Sequence, residues 1–167
     1  RTLQLEFHEL CLPYLFFFAK IVLLSITEQT KCKISYFCSK KRKVMIVEIC
    51  ANSVQSAINA EKGGADRIEL CQNLNEGGTT PSYAAIKYCV EKLSLKTMVL
   101  VRPRPGDFCY NEAEYEAIKE DVLMCKNLGA HGVVVGFLDK NLDVDTKRTS
   151  EIVKLARPME VTFHRAF

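Results

Sequence analysis

The sequence predicts an α/β fold of the (β/α)8 TIM-barrel family, here an incomplete barrel of about five strands and four helices. Three observations predict it. From residue 44 onward, short and nearly continuous apolar runs alternate with amphipathic stretches, the pattern of parallel strands covered by helices. A unit of helix end, Gly-Ala turn and strand recurs, as Gly63-Gly64-Ala65-Asp66-Arg67-Ile68-Glu69-Leu70 and as Leu128-Gly129-Ala130-His131-Gly132-Val133-Val134-Val135. Polar side chains on several strands share one face and so converge on one interior, which a barrel lumen provides and an open doubly wound sheet does not. No G-x-G-x-x-G follows the first strand, which argues against a dinucleotide-binding sheet.

Each element has its own signal. Val44–Cys50 is rich in β-branched residues and reads as the first strand. Asn52 or Ser53 can cap a helix to about Lys62, stopped by Gly63-Gly64. Arg67–Cys71 is the second strand, and the loop Gln72–Thr80 carries Glu76-Gly77-Gly78. Thr80 is the expected cap of the next helix, with Pro81 at its first position and its end near Lys92. Thr97–Val101 is the third strand. Asn111 caps a helix reaching Leu128 and Gly129. Gly132–Val135, a helix from Asp145 to Ala156 closed by Pro158, and the strand Glu160–His164 complete the series.

Charge divides the chain. It has 167 residues and a net charge of +3. Residues 1–43 hold eight Lys/Arg and three Asp/Glu, whereas 44–167 hold 15 and 17. The patterned part is thus slightly acidic, and no nucleic-acid partner is expected. We expect residues 45–167 to form the barrel domain. Residues 1–44 are expected to be a disordered or hydrophobic extension, or not part of the native protein. Within it, Leu10–Ile26 is apolar over 17 residues but contains Lys20. A spanning helix needs roughly 20 apolar residues, and a central Lys costs about 2.5–3.5 kcal/mol on insertion scales, so no membrane partner is expected.

Eight cysteines without a CxxC, and only three His, give little support to a zinc site. Cysteines inside apolar strand and helix patterns suit a reducing compartment. Along the strands, Ile46, Glu48 and Cys50 share one face, as do Arg67, Glu69 and Cys71, then Met98, Leu100 and Arg102, then Thr162 and His164. Buried charges must be paired or solvated. Glu48, Arg67, Glu69, Arg102 and His164 are therefore expected to form one network at the barrel mouth, with Arg104 and Arg165 beside it. Such a network can be purely supportive. It can also serve an enzyme acting on a small phosphate or carboxylate, since Arg forks bind such anions and carboxylates beside a His move protons.

Several stretches together resemble the CutC copper-homeostasis family. They are Glu48-Ile49-Cys50-Ala51-Asn52-Ser53, Gly63 through Cys71, and Glu76-Gly77-Gly78-Thr79-Thr80-Pro81-Ser82. Val101-Arg102-Pro103-Arg104, Gly106-Asp107-Phe108, and Val161 through Phe167 complete them. The resemblance runs from about Met45 to Phe167. It implies a (β/α)8 barrel, a cytoplasmic protein also found in the nucleus of animals, a homo-oligomer when full length, and a role in copper binding with no firm catalytic activity. It implies Cu(I) ligands at the cysteines ending the first two strands, here Cys50 and Cys71. Soft thiolates suit Cu(I), and the arginines nearby would balance their charge. Cys89 and Cys125 are expected in the helical core and Cys109 in a loop.

Overall fold

A computed structural model describes residues 46–166. Five strands alternate with four helices: β1 (Glu48–Ala51), α1 (Val54–Lys62), β2 (Arg67–Leu70), α2 (Tyr83–Lys92), β3 (Lys96–Leu100), α3 (Glu112–Leu128), β4 (Gly132–Val135), α4 (Thr146–Ala156) and β5 (Glu160–Phe163). A 3-10 turn, Leu74–Glu76, lies between β2 and α2. The strands form one parallel sheet in the order β1-β2-β3-β4-β5. That sequential order is the arc of a barrel; a doubly wound sheet reverses direction at a switch point.

Side-chain alternation divides the interior in two. Ala51, Ile68, Leu70, Val99, Val101, Val133 and Val135 face the helices and pack with Ala57, Ile86, Ile118, Val122 and Ile152. The concave face carries a smaller cluster of Cys71, Met98, Leu100 and Val134. Gly132 is required there, because a Cβ would stand 2.7 Å from both Met98 Sδ and the Glu160 carbonyl oxygen.

The helix signals are borne out except at one cap. Ser53 accepts from Ser56 N–H, Asn111 and Glu114 form a reciprocal capping box, and Asp145 accepts from Arg148 N–H. Helix α2 is capped by Ser82, not by Thr80. Thr80 is engaged elsewhere: its hydroxyl accepts from Arg102 N–H at 2.9 Å and its own N–H donates to the Arg102 carbonyl at 2.9 Å. Strand β1 also starts later than its apolar run, since Val47 is held by Asp66. Val47 N–H donates to Asp66 Oδ2 at 2.7 Å, and its carbonyl accepts from the Asp66 N–H. The apolar segment 10–26 and the boundary at residues 44 and 45 lie outside the described residues. Among the described residues, no helix is long and apolar enough to cross a membrane.

Candidate functional site

The concave face brings Cys50 and Cys71 together, with Sγ atoms 3.7 Å apart. The two are not level in the sheet. Register pairs Cys50 with Glu69, so Cys71, two residues on and past the end of β2, meets Cys50 diagonally. The cysteines ending the first two strands are therefore offset by two residues along the sheet. Alternation fixes the shared face, but register sets height along the sheet. Cys71 is 2% exposed, while Cys50 stands exposed on the edge strand. Gly78 backs the pair at φ +89; a Cβ there would lie 2.7 Å from Leu100 Cδ2 and 3.7 Å from Cys71 Cβ. The glycine loop can therefore approach where no side-chained residue could.

The charges nearest the thiols are acidic, not basic. The Cys71 hydrogen bond holds the Cys50 thiol below its ordinary pKa, against burial and the carboxylates of Glu69 and Glu48. Cys71 is pushed up by its bond to Cys50, then by burial. Burial raises Glu69, with Glu48 adding to the shift and Arg67 opposing it. Cys89 and Cys125 sit in the helical core, raised by burial to about 11 and about 12. Cys109 Sγ donates to the Asp139 carbonyl at 2.9 Å. Among the described residues, no group of three or more His, Cys, Asp or Glu is placed to hold a metal ion.

The expected single polar network is three separate ones. Arg67 pairs with Glu48 and, at 3.4 Å, with Glu160, which also meets Lys96 at 3.6 Å. These four residues each begin a strand, so this network closes the amino end of the arc, where barrels place stability and not chemistry. Arg102 is 2% exposed at the carboxyl end. It donates to the carbonyls of Glu76, Gly78 and Gly106 at 3.1, 2.9 and 2.7 Å, and lies 4.9 Å from the Phe108 ring. It thus clamps the glycine loop to the β3–α3 loop. Arg104 points away to Glu114 at 2.5 Å and Asp107 at 3.0 Å.

His164 packs on Phe108 with ring centroids 4.8 Å apart, and both ring nitrogens are buried without a partner. Burial, then Arg102 and Arg165, lower its pKa to about 4. Arg165 lies over Gly77, where a Cβ would collide with its Nη2 and stand 3.3 Å from Arg102 Nη1. The sequence reading missed Glu160, Lys96 and Phe108. Glu160 was legible by alternation, two residues before Thr162. Phe108 sits in a loop, where periodicity says nothing.

A parallel (β/α)-barrel arc with a thiol pair at the carboxyl ends of its first two strands defines the class. The CutC family model matches residues 45–167, and the chain belongs to the CutC family. A CutC family protein from Chromobacterium violaceum is 52% identical over 122 residues, 73% of this chain and 49% of that protein. The human copper homeostasis protein cutC homolog is 45% identical over 122 residues, covering 73% of this chain and 45% of that protein. The crystal structure of a CutC from Streptococcus agalactiae superposes with a TM-score of 0.68 at 32% identity, covering 74% of this chain and 60% of that one. The chain spans about half the length of the curated relatives it matches.

Proposed function

We propose that this chain serves copper homeostasis by binding Cu(I) between the thiolates of Cys50 and Cys71. The human and mouse relatives are named copper homeostasis proteins. The observation that carries the reading is the 3.7 Å separation of the two sulfurs, a gap that two metal–sulfur bonds of about 2.3 Å each can bridge. Soft thiolate donors favour Cu(I) over harder cations. Glu48 and Glu69 disfavour two bare thiolates side by side, so an arriving cation displaces protons and binding strengthens as pH rises. A reducing compartment, the cytoplasm and in animals the nucleus, keeps both sulfurs available. The full-length protein on this reading is a homo-oligomer.

The test is a Cu(I) titration against a strong chromophoric competitor under reducing conditions. The parent chain should retain one Cu(I). The double variant Cys50→Ser, Cys71→Ser should retain none, with an unchanged far-UV spectrum. Unchanged stoichiometry in the variant defeats the proposal.

A second reading, an enzyme for a small anion at the barrel mouth, draws support from two observations. Both His164 nitrogens are unpartnered, and Arg165 makes no hydrogen bond or ion pair among the described residues. Arg102 weighs against it, because three of its donor contacts already go to backbone carbonyls. A ligand specific to the folded state raises the melting temperature. Cu(I) should do so, and phosphate or a dicarboxylate should not.

A further inference from the structure

We infer that Cys50 and Cys71 are a site of reversible oxidation, closing to a disulfide when a hydroperoxide is the oxidant. The sulfurs are 3.7 Å apart. One is exposed and the other buried, the arrangement of an attacking cysteine with a resolving partner. The other described cysteines offer no competing partner: Cys89 and Cys125 are buried on the helix side of the sheet, and Cys109 is bonded to the Asp139 carbonyl. Cys50 Sγ attacks one peroxide oxygen. The O–O bond breaks, giving Cys50 sulfenic acid and, after protonation, water or an alcohol. Cys71 Sγ then attacks the sulfenic sulfur; the hydroxide that leaves takes the Cys71 proton and departs as water. Two thiols and one hydrogen peroxide become one disulfide and two waters.

The exposure of Cys50 makes the bond reversible. Cys50 lies open on the edge strand, so a reductant can reach its sulfur, and exposed disulfides are the easily reduced ones. The consequence, which rests on the copper reading, is that oxidation removes both thiolates and switches metal binding off, while bound Cu(I) shields the pair.

The test treats the metal-free chain with hydrogen peroxide and maps its peptides. A Cys50–Cys71 cross-link, lighter by two hydrogens and undone by dithiothreitol, is expected. In Cys71→Ser, Cys50 should instead be trapped by dimedone as sulfenic acid. Cys50 advancing to sulfinic acid while Cys71 stays alkylatable, or Cys50 linked elsewhere, overturns the inference. A parallel arm preloads Cu(I). Suppressed cross-linking supports the switch. Undiminished cross-linking rejects the copper site and leaves the oxidation site standing. Tight Cu(I) binding with no cross-link in the metal-free chain rejects the inference and leaves the copper site standing.

Discussion

His164 shows how much one side chain can be shifted by its surroundings. Its pKa falls to about 4 from an ordinary 6.5, first through burial and then through Arg102 and Arg165. Between those values the unfolded chain carries a proton that the folded chain does not, so stability rises with pH across that window. The group contributes fully above pH 6.5 and loses its contribution as pH falls toward 4, a change on the order of 3 kcal/mol. His164→Gln should flatten the fall in melting temperature between pH 6.5 and 4; an unchanged slope would assign it to other groups. Gly132 is constrained sterically instead. Gly132→Ala places a Cβ against Met98 and the Glu160 carbonyl and should cost about 1–3 kcal/mol, the range for overpacking. Met98→Ala in the same chain should recover only part of it, since the carbonyl cannot move out of the sheet ladder. Chemical denaturation of the two variants measures both effects. The need for glycine at 132 was invisible in the sequence, because Met98 and Gly132 meet only through the register of β3 and β4.

At the scale of elements, the sequence was most legible where local chemistry decides the outcome. Asn111 and Gly129 bound α3 as their residue types require, with Gly129 at φ +81 and the cap closed by Glu114. Asn111→Ala removes the acceptor for Glu114 N–H, while the Glu114 carboxylate still accepts from the residue-111 backbone N–H and from Arg104. A loss of about 1 kcal/mol is expected, seen as a small drop in melting temperature without change at the thiol pair. Thr80 and Ser82 show where local chemistry is insufficient. Both can cap α2, and a tertiary bond to Arg102 decides between them. The candidate site was legible in the same partial way. Alternation placed Cys50 and Cys71 on one face. It could not separate Glu48 and Arg67, at the amino ends, from Arg102 and His164 at the carboxyl ends, because a period of two carries no information about height.

At the scale of the whole molecule, the strand order and the Arg67–Glu160 pair, which links β2 to β5 at the amino end of the concave face, describe a sheet already curling toward closure. Parallel pairing was legible from the helix-length crossovers, and the barrel from polar residues converging on one face. The remaining question is where the folded unit begins. The family match starts at residue 45, and the first tertiary anchors among the described residues are the hydrogen bonds of Val47 to Asp66 and Arg67. A protein beginning at Met45 keeps every contact among the described residues, and its melting temperature is expected to stay within about a degree of that of the full chain. It should also lose Cys11, Cys32 and Cys38, lowering the count of alkylatable thiols by three while retaining the one Cu(I) proposed for Cys50 and Cys71. A lower melting temperature would place the start of the folded unit upstream of Met45. Lost copper with an unchanged melting temperature would move the metal site to the three upstream cysteines.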